Sequence, residues 1–232
     1  SICLMLFWNI DTAISQSEPQ RRSVTRAEVD SLISSSDFFE RYQGAKFLFV
    51  ATDFDTTLAY ETIIEGIQIE NEELKKTGFH FKYFQMNPDQ IFPIYVEGLA
   101  ALSKNSPDRL RQYLSSSTGE MKEWLTVASG FLADEPVHED IREIISTTSN
   151  IILKANALRA IAEYGDTSDV PLLTIALYDT LSIVEIDEPL IGVSDIIPSY
   201  NPVWQSAFYA LNKLGYSTTW DENLNPIVTK KE

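Results

Sequence analysis

Residues 150–179 read NIILKANALRAIAEYGDTSDVPLLTIALYD. Ala157, Ala160, Ile161 and Tyr164 recur at three- and four-residue spacing and make one apolar stripe. Asn156, Arg159 and Glu163 follow the same period and are expected on the opposite, polar side. Gly165 suits the position just past a helix, where a left-handed backbone penalises a Cβ. Asp166, Ser168 and Asp169 can accept from the free N–H groups that open a following helix, and Pro171 fits its first turn. Leu172, Leu173, Ala176 and Leu177 give that second helix an apolar face. The stretch therefore predicts two short helices back to back around a tight turn. It speaks to architecture and not to activity.

Within it, AIAEYGDTSDVPLLTIAL resembles the HEAT-repeat family in its short bacterial form, an A-L-x-x-I-G-D turn followed by V-P-x-L-x-x-A-L. Ala160, Ile161, Tyr164, Gly165 and Asp166 match the first part, and Val170, Pro171, Leu173, Ala176 and Leu177 the second. Tyr164 departs mildly from the usual aliphatic residue. The basic residue that longer HEAT repeats carry early in the second helix is missing here, so an Asp–Arg ladder between repeats is not expected. The resemblance implies an all-α fold, a right-handed α-solenoid of HEAT-like helix pairs with two loop insertions. It further implies a non-catalytic protein–protein interaction or scaffolding module with a protein partner.

The pattern recurs. Residues 128–134, ASGFLAD, align with residues 160–166, AIAEYGD, at an offset of 32 residues. Ile141, Ile144 and Ile145 then fall on Leu173, Ala176 and Leu177. Residues 210–215, ALNKLG, are a third copy of the helix before the turn, 50 residues beyond residue 160. The excess over one repeat lies at 181–200, which holds Pro189, Gly192 and Pro198 and reads as a loop inserted over the array. The last helix carries Val203, Ala207, Leu211 and Leu214 on one stripe, and Trp220 onward reads as a capping tail.

Earlier in the chain, Thr25 and Glu28 have capping-box spacing, with a further start at Ser36 or Asp37. Residues 52–56 are a polar break before a helix over 58–67. Residues 69–87 read as an insertion: a charged run from Glu70 to Lys76, a Gly78 turn, then FHFKYF with strand-like alternation. Asn87–Pro88, Ser106–Pro107 and Asn201–Pro202 each place a capping side chain before a proline, and Ser117 with Glu120 adds a fourth start. Residues 24–232 are thus expected to form a single repeat domain, with insertions at about 69–87 and 181–200.

The chain has 232 residues, 44% of them hydrophobic, enough for a packed core. A net charge of −16 repels phosphate backbones, so nucleic acid is not an expected partner. Ile2 to Trp8 is apolar but too short to span a bilayer, and Ala13-Ile14-Ser15 has a small-x-small pattern. Residues 1–23 read as a signal-peptide remnant and flexible leader, which implies export to the periplasm or outside with envelope association; the alternative is an ordinary buried N-terminal segment of a cytoplasmic protein. The only cysteine, Cys3, lies in that run, so no disulfide framework is expected.

One stretch points elsewhere. FLFVATDFDTTL, residues 47–58, resembles the first motif of the haloacid-dehalogenase-like phosphatases. That resemblance implies Asp53 as nucleophile and Asp55 as general acid/base with Mg2+ between them. The segment before Gly165 has helical rather than strand periodicity, Asp169 is one residue too close to Asp166 for that family's acidic motif, and no β-α alternation supports a parallel sheet. Asp53 and Asp55 are then turn or capping residues. His138, Glu139 and Asp140 beside Asp134 and Glu135 read as the acidic start of a helix rather than a metal site. His80 sits among aromatics, and Glu185, Asp187, Glu188 and Asp195 lack EF-hand spacing. Trp204 and Phe208, four apart, read as core between repeats. Neither a metal nor a cofactor nor a catalytic residue is expected.

Overall fold

Thr25 opens the first helix as its spacing predicts: its hydroxyl faces the Glu28 amide and the Glu28 carboxylate reaches back to the Thr25 amide. The computed structural model describes residues 23–79, 88–179, 184–185, 199–223 and 225–231. The first three helices are α1 (Arg26–Ile33), α2 (Phe38–Phe47) and α3 (Thr56–Thr77). Asp37 caps α2 and Asp55 caps α3, each accepting from amides of the first turn. A single 3-10 turn, Leu48–Val50, stands where a phosphatase would need a strand.

The charged run from Glu70 to Lys76 is not an insertion. It forms the last two turns of α3, which ends at Gly78 in a positive-φ conformation. The reason is tertiary. Glu70 and Asn71 are buried, Glu70 against Arg41 of α2 and Asn71 accepting from the indole N–H of Trp124. Lys75 and Lys76 pair with Glu72 and Glu73 on the open side. Of FHFKYF only Phe79 is described; the rest, His80 included, lies outside the described residues.

The remaining helices are α4 (Pro88–Ser103), α5 (Pro107–Ser116), α6 (Gly119–Gly130), α7 (His138–Thr147), α8 (Ile151–Ile161), α9 (Val170–Ala176) and α10 (Pro202–Lys213). Asn150 and Asn201 cap α8 and α10. Ser106 precedes Pro107 but makes no capping bond, and the residue before α6 is Thr118, not Ser117. Glu120, expected to complete a box with Ser117, instead accepts from Asn150 and pairs with Lys75. In the long segment before α10, β1 (Val184–Glu185) and β2 (Ser199–Tyr200) pair antiparallel, and the loop between them, with Asp187, Glu188 and Asp195, is outside the described residues. The expected capping tail is a hairpin of β3 (Tyr216–Trp220) and β4 (Pro226–Lys230), its turn held by Asp221 accepting from the Asn223 and Asn225 amides. The protein is predominantly helical.

The helices fall into two sets. α4, α6, α8 and α10 touch one another in succession, and α3, α5, α7 and α9 each pack on the even-numbered helix that follows. α7 touches α6 and α8, whereas α9 leans mainly on α10 rather than on α8, to which its tight turn joins it. The aligned residues behave alike: Ile141, Ile144 and Ile145 are buried, as are Leu173, Ala176 and Leu177. At Gly130 in α6 a Cβ would lie 2.3 Å from Cδ1 of Ile141 and 3.2 Å from Cβ of Ala160, so α6, α7 and α8 converge there. Phe92 of α4 stacks on Trp124 of α6 at 4.4 Å between ring centroids, joining the early helices to the repeated ones.

Candidate functional site: a groove and the polar cluster beside it

The turns between α6 and α7 and between α8 and α9 share a positive-φ residue at the aligned position. Gly165 has φ 68°, and Ala133, its equivalent one repeat earlier, has φ 53°; Gly215, after α10, has φ 87°. Ala133 is the one non-glycine residue with positive φ among those described. The 32-residue offset makes Asp134 the counterpart of Asp166, each just after its positive-φ residue, and Asp169 stands three residues further on.

An arginine from a preceding helix reaches each mouth. Arg111 of α5 makes a two-pronged contact with Asp134, at 2.7 and 3.1 Å. Arg142 of α7 donates through Nε to Asp169 at 2.6 Å and through Nη2 to Asp166 at 3.3 Å, and also pairs with Glu139. An acid–base ladder is therefore present, its basic members on α5 and α7. The expectation that no ladder forms rested on α9, which carries no basic residue. The two rungs are tied together. Tyr164 donates to the Asp134 carbonyl at 2.8 Å, its ring stacks on His138 at 4.0 Å, and His138 Nε2 lies 2.9 Å from Asp169. The hydrogen bonds that Arg111 donates to Asp134 raise its guanidinium above its usual value, and the bond that Arg142 donates to Asp169 does the same for Arg142. Burial pushes the Tyr164 phenol up. The Ser168 amide and hydroxyl hold the Asp166 carboxyl below its ordinary value.

His138, Asp166 and Asp169 offer ligand atoms within 4.8 Å of one another. The Arg142 guanidinium already bonds to both aspartates, so a cation would have to displace a cation. Glu139 and Asp140 lie in the first turn of α7, exposed, as expected of residues that complement a helix start. Asp134 and His138, expected to do the same, instead join the α6–α7 turn to the α8–α9 turn through Tyr164 and Asp169.

Asp53 and Asp55 do not converge on a site. Asp53 accepts from the Arg26 amide at 2.5 Å and so caps α1, and Asp55 accepts from the Thr57 and Leu58 amides. The strands among the described residues form two separate antiparallel pairs, neither near Asp53 in the chain.

Beside the ladder runs a groove of ≈ 2130 Å³. Ile94 and Glu97 of α4 line it at one end, Phe131 and Leu132 follow from the α6–α7 turn, and Trp220 of β3 lines the other end. Its middle is Asn156 and Arg159 of α8. Both were expected on a solvent-facing side, yet Asn156 is only 3% exposed. Its Nδ2 donates to the Ile152 carbonyl at 2.8 Å, while its Oδ1 is buried with no hydrogen-bond partner. Arg159 pairs with Glu97 at 2.6 Å and lies over the rings of Phe131 and Tyr209, at 6.0 and 5.7 Å. Trp204 and Phe208 are not core. Phe208 is 45% exposed, Trp204 is half-buried 6.0 Å from Trp220, and both line the groove. The indole N–H of Trp204 is also buried without a partner.

No helix among the described residues is long and apolar enough to cross a membrane. No family model, no curated protein and no solved structure matches the chain.

Proposed function

We propose that this chain is a non-catalytic protein-binding or scaffolding module, a right-handed α-solenoid of HEAT-like helix pairs whose partner lies in the groove along α4, α6, α8 and α10. The observation that carries the reading is the groove itself. It is lined across successive repeats by half-exposed aromatics, in a chain whose net charge of −16 otherwise favours a solvated surface. The 32-residue offset, the matching turns at Ala133 and Gly165 and the acid–base rungs support the repeat assignment. A volume about twice the upper end of small-ligand sites favours a polymer over a metabolite.

The test compares two surfaces of equal apolar character. Proteins cross-linked to the full chain in extracts of its source are compared with those held by Phe208→Asp with Trp220→Asp, and by Ile175→Asp with Tyr178→Asp on exposed residues outside the groove. The expected result is a partner lost from the groove pair and kept by the other pair. Equal capture by all three proteins would overturn the assignment of the groove.

A further inference from the structure

We propose that the groove holds an uncharged, extended peptide segment of its partner and grips it by the main chain. Asn156 would accept from a peptide N–H, and Trp204 would donate to a peptide C=O. The inference rests on the protein-binding reading above and specifies the chemistry of the bound segment.

Two orphaned groups carry the argument. The Asn156 Oδ1 is a buried acceptor without a donor, and the Trp204 Nε1–H is a buried donor without an acceptor. Buried polar groups are ordinarily satisfied, and each exception is costly. Both residues line the same groove, from α8 and α10, which pack directly on each other. One missing donor and one missing acceptor are the complement of an extended peptide, which presents an N–H and a C=O at every residue.

Charge points to a segment without formal charge. The cations lining the groove are largely spent on its own acids: Arg159 on Glu97, Lys213 on Glu163 and Arg111 on Asp134. Lys104 and Glu135, of opposite sign, line the groove without an ion pair among the described residues. Lys104 and Glu135 apart, a polybasic or polyacidic segment would find its counter-charges there already spent. Trp204, Phe208 and Trp220 offer aromatic surface for an aliphatic or aromatic side chain of the segment.

The probe is an immobilised library of short peptides lacking Asp, Glu, Lys and Arg, set beside polybasic and polyacidic libraries and single-stranded oligonucleotides. The full chain is expected to select uncharged apolar peptides, with affinity changing less than about twofold between about 50 and 300 mM NaCl. Asn156→Leu and Trp204→Phe, the second keeping an aromatic ring, are each expected to weaken the selected peptide about tenfold while leaving thermal stability unchanged or raised. N-methylation of a single peptide amide should reproduce the loss with wild-type protein. Selection of charged peptides or oligonucleotides with steep salt dependence would overturn the proposal, as would unaltered binding by both variants. If the Phe208/Trp220 pair loses a captured partner while these two variants keep it, main-chain reading fails and the protein-binding groove stands. If capture is indifferent to both sets, the broader reading fails with it.

Discussion

Arg41 and Glu70 lie beneath the surface between α2 and α3, whereas Arg111 with Asp134 and Arg142 with Asp169 lie at the rims of the later turns. In the early region the pair is sealed. Arg41 meets Glu70 at 2.5 and 3.2 Å, donates to the carbonyls of Ser35 and Ser36, and has a side chain only 5% exposed. Burial holds the Glu70 carboxyl above its ordinary value, against the opposing pull of the hydrogen bonds from Arg41. In the later region Asp134 and Asp169 are covered, but the arginines that reach them stay partly in water. The contrast shows two ways of joining helices. A sealed pair fixes one arrangement and leaves nothing to bind. A rim pair occurs at each of two successive turns, with Arg111 and Asp134 also lining the groove.

The largest test of that contrast is Arg41→Ala, which strands Glu70 beneath the surface and is expected to cost about 3–5 kcal/mol in urea unfolding. Arg111→Ala should shift the midpoint far less, because water screens and replaces its half-exposed guanidinium. The double variant Arg41→Met with Glu70→Leu should return close to wild type, since apolar packing replaces a buried pair at little cost. Equal losses from Arg41→Ala and Arg111→Ala would erase the distinction.

A second, smaller effect tests whether the turns are true copies. Ala133 bears the strain that Gly165 avoids at the equivalent place. Ala133→Gly is expected to stabilise the fold by about 1 kcal/mol and Gly165→Ala to destabilise it by a similar amount, read from paired urea curves. Nothing lies within 4 Å of an added Cβ at Gly165, so any loss there reports the backbone alone.

The smallest effect should be common to both regions. Bonds from the Leu58 and Thr57 amides lower the Asp55 carboxyl, and the Ser168 amide and hydroxyl lower that of Asp166. Each folded pKa lies below its unfolded value, so the stabilisation is present above the ordinary carboxylate range and is lost as pH falls through the lowered values, below about pH 4. Urea midpoints measured at about pH 5 and pH 3 should fall less in Asp55→Asn and Asp166→Asn than in wild type. A full wild-type drop in either variant would exclude that cap as a contributor.

Local signals were read well. Thr25 with Glu28, Asp37, Asn201, Gly165 and Gly215 all act at helix ends as their spacing predicts, because capping joins groups at most a few residues apart. The misreadings share one cause. Glu70 and Asn71 looked like a surface run but point at Arg41 and Trp124, 29 and 53 residues away. Trp204 and Phe208 looked like core but line the groove, and Trp220 onward looked like a capping tail but Trp220 and Pro226–Lys230 belong to a hairpin that begins at Tyr216. Arg111 and Arg142 stand early in the helices that precede Asp134 and Asp166, and pairing each forward to the next turn would have revealed the ladder.

The order of residues alone determined that the chain is mainly helical, where most helices begin and end, and that one turn recurs after 32 residues. Those properties depend on dihedral preference and on bonds within a turn or two. Only the tertiary structure decided which flank of α8 is covered. Asn156 and Ala157 are neighbours in sequence, both are buried, and only Asn156 lines the groove. That outcome is set by α6 and α10 packing on either side, from far along the chain, so no periodicity within α8 could announce it.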